Sequence, residues 1–283
     1  MKFLLILNFL EIDLDLLQKF RKSTLEILKN ETSNPIQDLN RALRNLAAVR
    51  SALIYNTIVN SEGAKVFQGP FKGMKFFSDP SDISEGCFVP KLIGSYESEL
   101  HPLIEDLKVN KPDVIINIGA AEGYYSVGLK RLLGDADVYA YDIDPKSKEK
   151  TIELSKLNKV DITCREEFFS SELNPFRKNS VLIFCDIEGD ELKLFEKDEI
   201  INYENFSIVV ETHMTPSGHS KDILPDLFSK THEIKVIEQK GSNSFTVPDS
   251  ISQSNHLDIL LSKWEFRDHP TPWLALTPKN KAI

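Results

Sequence analysis

Three polar residues that could transfer a proton or bind a metal follow two apolar segments in the second half of the chain. Asp186 comes directly after the apolar run 181–185, and Glu211 and His213 follow the run 206–210. An imidazole with a reference pKa of about 6.5 suits a general base, and Glu211 and Asp186 would then assist His213. The same three side chains could instead hold a divalent cation that binds a substrate oxygen. Structural roles stay open, because Asp186 could organise its loop through backbone hydrogen bonds.

A second polar site is predicted at residues 113–130, DVIINIGAAEGYYSVGLK, where an apolar run meets two glycines. Gly119 allows a tight turn, and Gly123 lets another group approach the backbone closely. The helix that follows would present free N–H groups to an anion. Asp142 ends the next apolar run, about 20 residues further on, where a carboxylate can accept both hydroxyls of a ribose. The pattern predicts a nucleoside-type ligand, although turn and helix-capping roles could also explain these residues.

The spacing of the glycines indicates which nucleoside-type ligand fits. The dinucleotide fingerprint is G-x-G-x-x-G, whereas this chain has GAAEG, with Ala121 where the second glycine belongs. The middle glycine lets the backbone approach a pyrophosphate, so its absence favours S-adenosylmethionine, which has none. Asp142 would hold the ribose, and the loop from Gly119 to Gly123 would hold the methionine part. An NAD(P)-dependent oxidoreductase and a non-catalytic nucleoside-binding module remain the alternatives.

Alternating strands and helices are predicted to position these residues. The apolar runs predict strands at 114–118, 138–141, 160–164, 181–185 and 206–210, with helices near 122–133, 145–158, 189–197 and 219–230. The segments 232–239 and 256–262 are predicted to close the sheet as a strand pair without a helix between them. The sequence therefore predicts an α/β fold, a doubly wound, mostly parallel seven-stranded sheet with an antiparallel edge.

Other segments flank this predicted domain of residues 101–283. Residues 1–63 are predicted to form a helical extension, a hairpin of a helix at 12–29 and one from Pro35 to near Gly63, which could mediate a homodimer. Residues 64–100 are predicted to form a β-hairpin and a connecting segment. The apolar stretch from Phe3 to Leu10 is too short to span a bilayer and is interpreted as the buried start of a helix or strand, so we expect no stable membrane insertion. The proline-rich end carries Trp264 and Trp273, which we expect to attach it to the body.

Charge and cysteine content limit the partners. The chain has 43 acidic and 34 basic residues and a net charge of −9, which argues against nucleic acid as a partner. Its three cysteines are widely spaced, a pattern that indicates neither a disulfide framework nor a zinc site. A cytoplasmic location is the resulting expectation.

Four segments in this order resemble one known group of enzymes. INIGAAEGYYS, VYAYDIDP, FCDIEGDELKLF and IVVETH, which together span about residues 113–215, are similar to FkbM-type methyltransferases, a branch of the class I S-adenosylmethionine-dependent enzymes. The resemblance implies a Rossmann-like class I fold and O-methylation of a hydroxyl on a glycan or small metabolite. The Asp/Asn-Pro-Pro-aromatic signature of amine methylation is missing, which disfavours N-methylation.

The resemblance also implies the residues around the cofactor. Gly119, Ala120 and Gly123 would line the methionine part, Asp142 would hold the ribose, and Glu166 would flank the adenine. Many members have Asp where this chain has Asn117, whose amide oxygen can still accept a hydrogen bond from the cofactor amine. Upstream of the first strand, SYESEL contributes Tyr96 and Glu97 as further candidates for covering the pocket.

Overall fold

The computed structural model describes residues 14–29, 34–83, 87–239, 245–267 and 269–279 of the 283-residue chain. The interpretation of Phe3 to Leu10 as the start of a helix or strand lies outside these residues.

A seven-stranded sheet forms the centre of the protein. Its strands lie in the order β3-β2-β1-β4-β5-β9-β8. Strands β1 to β5 are parallel, and β9 runs antiparallel to both of its neighbours, β5 and β8. The predicted mostly parallel, Rossmann-like sheet with an antiparallel pair at one edge is confirmed. The strands, including a short separate hairpin of β6 and β7, are β1 Val114–Ile118, β2 Asp137–Tyr141, β3 Thr163–Arg165, β4 Val181–Cys185, β5 Ser207–Glu211, β6 Met214–Thr215, β7 Gly218–His219, β8 His232–Ile237 and β9 Trp273–Pro278.

Helices cover both faces of the sheet because the central strands are apolar on both sides. Alternate residues of β1 point to opposite faces: Ile115 packs into one core cluster, whereas Ile116 and Ile118 pack into the other. The α-helices of the described residues are α1 Leu14–Lys29, α2 Pro35–Glu62, α3 Phe88–Ile93, α4 His101–Asp106, α5 Tyr124–Leu133, α6 Pro145–Asn158, α7 Glu191–Leu194, α8 Ser220–Phe228, α9 Asp249–Ser252 and α10 His256–Leu261.

One strand prediction is wrong. The segment 256–262, predicted as a strand, contains helix α10, and a second helix, α9, also lies between the closing strands. The side chain of Asn255 caps α10 by accepting a hydrogen bond from the backbone N–H of Asp258 at 3.0 Å, which favours a helix start. The strand that pairs with β8 is β9, which lies in the proline-rich C-terminal segment.

The N-terminal helices pack against each other as a hairpin. Asn34 caps α2 by accepting from the backbone N–H of Gln37, and Pro35 occupies the first turn, as predicted. Asn45 of α2 donates a hydrogen bond to Thr24 of α1 at 2.7 Å. Homodimerisation through these helices stays a prediction. It is compatible with the apolar side chains that the two helices expose, which are Leu25, Leu28, Ile36, Leu39, Leu43 and Leu46. Among the described residues, none of the helices is both long enough and apolar enough to cross a membrane.

The β-hairpin predicted within residues 64–100 is short. The backbone of Ala64 to Val66 turns back against Met74 to Phe76 through hydrogen bonds such as Val66 N–H to Met74 O at 2.7 Å. The pairing amounts to one bridge between Lys65 and Lys75. Gly69 has a positive φ of 74° and packs against Gly94. Close packing of the two loops takes the place of a regular ladder of strand hydrogen bonds here.

Candidate active site

A cavity of about 800 Å³ lies at the carboxyl ends of β1, β2 and β4. Its walls come from the loop after β1, the ends of β2 and β4, the segment 166–171 and helix α3. Ligands of open α/β sheets bind at this edge, where the strand order reverses between β1 and β4. The volume is in the usual range for a small-molecule site.

Close contacts within the protein explain why residues 119 and 123, in the loop after β1, are glycines. Gly119 has a φ of +78°, and a Cβ there would lie 1.6 Å from the carbonyl oxygen of Asp186. Gly123 has a φ of +90°, and its Cβ would lie 2.9 Å from the side chain of Thr151 in α6. Gly119 and Ala120 line the cavity, whereas Gly123 is not among the lining residues. The group that approaches Gly123 closely is therefore a helix of the protein.

Asp142 lies at the end of β2 and lines the cavity. Its carboxylate accepts hydrogen bonds from the backbone N–H groups of Ala121 at 2.8 Å and Asp144 at 2.9 Å. Partial burial raises the pKa of Asp142 above the usual range of an aspartate, while these two bonds act in the opposite direction. Each carboxylate oxygen can accept a further hydrogen bond, so the group can tie the loop to β2 and still meet a ligand. Glu166 also lines the cavity, but its side chain is 77% exposed and pairs with Lys148 at 3.3 Å.

The candidates near the end of β1 occupy different surroundings. Asn117 is buried and lines the cavity, and its amide nitrogen donates to the hydroxyl of Ser126 at 2.8 Å, which leaves the amide oxygen for another donor. Tyr96 also lines the cavity. Glu97 is 1% exposed and does not line the cavity. It accepts a hydrogen bond from the hydroxyl of Tyr125, which does line the cavity.

The structure brings Asp186, Glu211 and His213 together. Nε2 of His213 lies 3.9 Å from Asp186 Oδ1 and 3.5 Å from Glu211 Oε2. One donor atom from each of the three residues lies within 4.8 Å of the other two, so one ion could contact all of them. Carboxylate and imidazole ligands suit a divalent cation such as Mg²⁺ or Mn²⁺. Of the three residues, Asp186 lines the cavity and the other two lie behind it.

Carboxylates surround His213 on both ring nitrogens. Nδ1 lies 2.7 Å from Glu191 Oε1, and Nε2 lies 3.5 Å from Glu188 Oε2 in addition to the contacts given above. Burial alone would lower the pKa of His213, but hydrogen bonds with Glu191 and Glu211 outweigh burial and raise it to about 10. The ring is therefore positively charged at neutral pH in this arrangement, unlike the near-neutral imidazole expected from the sequence.

Arg267, which the sequence analysis did not identify, connects this cluster to the segment before the sheet. Its guanidinium bonds to Glu211 and Glu97 and lies 3.3 Å from Glu265. Burial raises the pKa of Glu211, but His213 and Arg267 outweigh this effect and lower it to about 2. Arg267 is 56 residues from Glu211 in the chain, and no local pattern links the two positions.

The sequence analysis also did not identify the buried ion pair of Lys91 and Glu122, in which Nζ and Oε1 are 2.6 Å apart. Both residues line the cavity. Glu122 lies within the GAAEG motif, which is the one signal that could have drawn attention to it.

Comparison with solved structures finds proteins of similar fold at low sequence identity. A ribosomal protein L11 methylase from Lactobacillus delbrueckii subsp. bulgaricus has a TM-score of 0.42 and 16% identity over 65% of this chain and 79% of its own. Precorrin-6y C5,15-methyltransferase from Geobacter metallireducens GS-15 has a TM-score of 0.41 and 15% identity over 62% and 86%. The StiE O-MT has a TM-score of 0.42 and 14% identity over 84% and 92%. Neither a protein-family model nor a curated protein matches the chain. The function proposed for the chain therefore rests on its own site.

Proposed function

We propose that this chain is an S-adenosylmethionine-dependent methyltransferase that methylates a hydroxyl oxygen of a glycan or small metabolite. One observation carries the proposal: a single cavity is bounded by the glycine loop and Asp142 on one side and by Asp186, backed by Glu211 and His213, on the other. A candidate nucleoside site and a carboxylate placed to receive a proton thus line one cavity. The resemblance of the strand-end motifs to FkbM-type methyltransferases agrees with this combination.

The lining residues fit the proposed cofactor. When bound, S-adenosylmethionine supplies an electrophilic methyl group and leaves as a neutral thioether. Asp142 would accept the ribose hydroxyls, and Asn117, Gly119 and Ala120 would contact the methionine part. The aromatic ring of Phe168, which lines the cavity near Glu166, offers an apolar surface to the adenine. Tyr96 would cover the pocket, whereas Glu97 would act through Tyr125, to which it is bonded.

Asp186, supported by His213 and Glu211, would receive the acceptor's proton. As the acceptor oxygen bonds to the methyl carbon, the carbon–sulfur bond breaks and the hydroxyl proton must leave. Asp186 lines the cavity and can contact the hydroxyl, while Nε2 of His213 lies 3.9 Å from Asp186 and 3.5 Å from Glu211. Glu191 holds Nδ1 of His213 and so fixes the ring orientation. We therefore assign proton transfer to one unit, in which the Asp186 carboxylate receives the proton while the positively charged ring of His213, held by Glu211 and Glu191, lies beside it.

A divalent cation at the same three residues is the alternative use of the cluster. It would bind the acceptor oxygen and favour its ionised form. Treatment of the protein with a chelator, followed by addition of Mg²⁺ or Mn²⁺, separates the two cases. If a cation takes part, turnover is lost and then restored, and binding of S-adenosylhomocysteine stays unchanged throughout.

The chemistry of the remaining walls favours an acceptor without negative charge. Glu188, Asp190, Glu196 and Glu199 also line the cavity, accompanied by Lys193. Carboxylates accept hydrogen bonds from hydroxyl groups and repel phosphates. A neutral polyol or an amino sugar fits this wall better than a nucleotide-linked sugar.

Calorimetric titration with S-adenosylhomocysteine and with NAD tests the cofactor assignment. We expect the former to bind and NAD to bind weakly or not at all; tighter binding of NAD would indicate a dinucleotide-dependent oxidoreductase. Transfer is tested by accumulation of S-adenosylhomocysteine from S-adenosylmethionine, which we expect only with a hydroxylated acceptor. Cofactor binding without accumulation on any hydroxylated acceptor would indicate a non-catalytic nucleoside-binding module.

The variant His213→Ala tests the proton-transfer unit. We expect loss of turnover with unchanged cofactor binding, because His213 lies behind the cavity wall rather than in the nucleoside part of the site. His256→Ala, at an exposed position on α10, is the matched control and should keep full turnover. Full turnover of His213→Ala would remove this residue from the proposed unit.

A further inference from the structure

Helices α1 and α2 carry exposed apolar side chains outside the cavity. Six leucine and isoleucine residues are 46–71% exposed, whereas Thr24 and Ala42 of the same two helices are 5% and 2% exposed. Single exposed leucines are common on protein surfaces, but several on one face mark an interaction site. We call the six residues the apolar face of the hairpin: Leu25, Leu28, Ile36, Leu39, Leu43 and Leu46.

The spacing of the apolar face on α2 is that of a helix-packing seam. Ile36, Leu39, Leu43 and Leu46 follow one another at intervals of three, four and three residues. Apolar residues with an average spacing of about 3.5 form a narrow stripe that packs against another helix. A helix that lies on a lipid surface instead has a large apolar face with aromatic residues and a basic polar face. The spacing therefore indicates a helical partner.

Both helices present their exposed residues on the same side of the hairpin. Asn45 of α2 donates a hydrogen bond to Thr24 of α1 at 2.7 Å, so these two residues face each other. Leu46 and Leu25 are the next residues along the two helices, and each such step turns a side chain by about 100° around the helix axis. Because the helices of a hairpin run in opposite directions, this turn brings both side chains to one side. The apolar residues of α1 and α2 thus form one surface.

We propose that the apolar face binds the same face of a second copy of the chain and forms a four-helix bundle at the centre of a homodimer. The six side chains expose on the order of 500 Å² of apolar surface, at the upper end for a monomer. A standard interface buries about 800 Å² per partner, and about 65% of a homodimer interface is apolar. The exposed apolar area therefore matches what a stable dimer needs. This inference is independent of the proposed function.

The direction of the helices suits a symmetric pair of hairpins. A two-fold axis between the two faces can run either along the helices or across them. In the first case α2 lies on α1 of the other copy, and in the second it lies on α2 of the other copy. The facing helices are antiparallel in both cases, as in up-down four-helix bundles.

The charges beside the seam on α2 favour a second copy over an anionic lipid surface. Arg41 pairs with Asp38 of the same helix, and Arg44 donates to the backbone oxygen of Phe266. Both guanidinium groups therefore have partners in their own chain, so two copies of α2 can approach without repulsion between free arginines. An anionic lipid surface is bound instead by basic side chains that reach the headgroups.

Sedimentation equilibrium of the full chain tests the proposal. We expect the wild-type protein to be a dimer at micromolar concentration. Leu43→Glu should raise the dimer dissociation constant by about 100-fold or more, because the symmetric interface would bury two carboxylates without partners. Leu39→Ala/Leu43→Ala introduces no charge and should raise the constant by about 10-fold or more through lost apolar area.

Two controls separate the loss of the dimer from misfolding and from a general effect of charge. Val109 is 83% exposed in the segment between α4 and β1, so Val109→Glu adds the same charge elsewhere and should change the dissociation constant by less than about 2-fold. Alanine favours helices at least as well as leucine, so the double alanine variant should keep the helical circular dichroism of the wild type. The melting temperature of the wild type should rise with protein concentration, and that of Leu43→Glu should not.

Three outcomes would contradict the proposal. If Leu43→Glu dimerises as well as Val109→Glu, the dimer uses another surface. If the wild-type protein is monomeric and cosediments with vesicles of phosphatidylcholine and phosphatidylserine, the apolar face binds lipid. If it is monomeric and does not bind these vesicles, the face is covered within its own chain, for which the apolar residues 3–10 are the candidate segment. None of these results bears on binding of S-adenosylhomocysteine, which tests the proposed function separately.

Discussion

At the scale of single residues, Asp142 combines two roles at the end of β2. Its carboxylate holds the backbone of Ala121 and Asp144 and lines the cavity. We expect Asp142→Ala to weaken binding of S-adenosylhomocysteine by about 10-fold or more, since it removes a charged acceptor and loosens the loop. Glu153→Ala is the control, because that side chain is exposed on α6 and does not line the cavity, and it should change affinity by less than about 3-fold. Calorimetry measures both; equal effects would show that the ribose is held elsewhere.

Glu99 gives the stability of the protein a dependence on pH near neutrality. Burial raises the pKa of Glu99 from 4.5 to about 7. Below pH 4.5 the carboxyl is protonated in both the folded and the unfolded chain. As the pH rises from 4.5 to 7, the unfolded chain ionises first, so this group lowers the free energy of unfolding until the folded form also ionises.

The variant Glu99→Gln should remove this loss of stability. We expect the free energy of unfolding of the variant, minus that of the wild type, to be about 1–2 kcal/mol higher at pH 8 than at pH 5. Urea denaturation at the two pH values measures this difference. Glu105→Gln, at an exposed position on the neighbouring α4, should differ between the two pH values by less than about 0.5 kcal/mol. A Glu99→Gln difference that does not grow with pH would contradict the assignment.

The sequence predicts local clusters of residues better than distant partners. Asp186, Glu211 and His213 follow adjacent parallel strands, and the carboxyl ends of such strands meet at one edge. Arg267 and Lys91 lie in segments outside the parallel strands, and the local sequence pattern does not reveal that these segments pack against the site. The raised pKa of His213 could not be predicted for the same reason, since Glu191 contacts it from another element.

At the scale of elements, the packing of the glycine loop makes a prediction about its first residue. Gly119 and Gly134 both have positive φ, but a Cβ at Gly119 would meet the backbone of Asp186, whereas nothing lies within 4 Å of one at Gly134. Gly134→Ala should therefore lower the free energy of unfolding only by backbone strain, about 1–3 kcal/mol. Gly119→Ala should cost about 1–3 kcal/mol more from overpacking and should also displace Asp186. Urea denaturation of both variants tests the difference, and equal costs would contradict it.

Strong local signals explain which elements could be predicted. β1, β4 and α6 have the predicted bounds, since each has a continuous apolar run or a proline in the first turn. The segment 256–262 has as many apolar residues as a strand, but the cap at Asn255 and the pairing of Asp258 with Arg50 favour a helix. β9 was not predicted because its partners, β5 and β8, lie far away in the sequence and its own segment is rich in proline.

At the scale of the whole molecule, β9 connects the two cores that the sheet separates. Trp273 belongs to the core on the face of α5, and Leu274 and Leu276 belong to the core on the opposite face. The strand also joins β8 to the parallel strands by pairing with both β5 and β8. Trp273 was expected to attach the C-terminal segment to the body. It is part of the sheet itself, because it lies in β9, which pairs with β5.

This position predicts a large stability cost for the loss of the Trp273 ring. Trp273 is fully buried, and its ring centre lies 5.0 Å from that of Phe184 in β4. Trp273→Ala should lower the free energy of unfolding by about 3–5 kcal/mol, because a cavity would open between strands. Trp264 is half-buried and stacks on Phe266 at 4.3 Å, so Trp264→Ala should cost about 0.5–1.5 kcal/mol. Urea denaturation followed by circular dichroism measures both variants, and a Trp273→Ala cost no larger than that of Trp264→Ala would show that β9 is dispensable for the core.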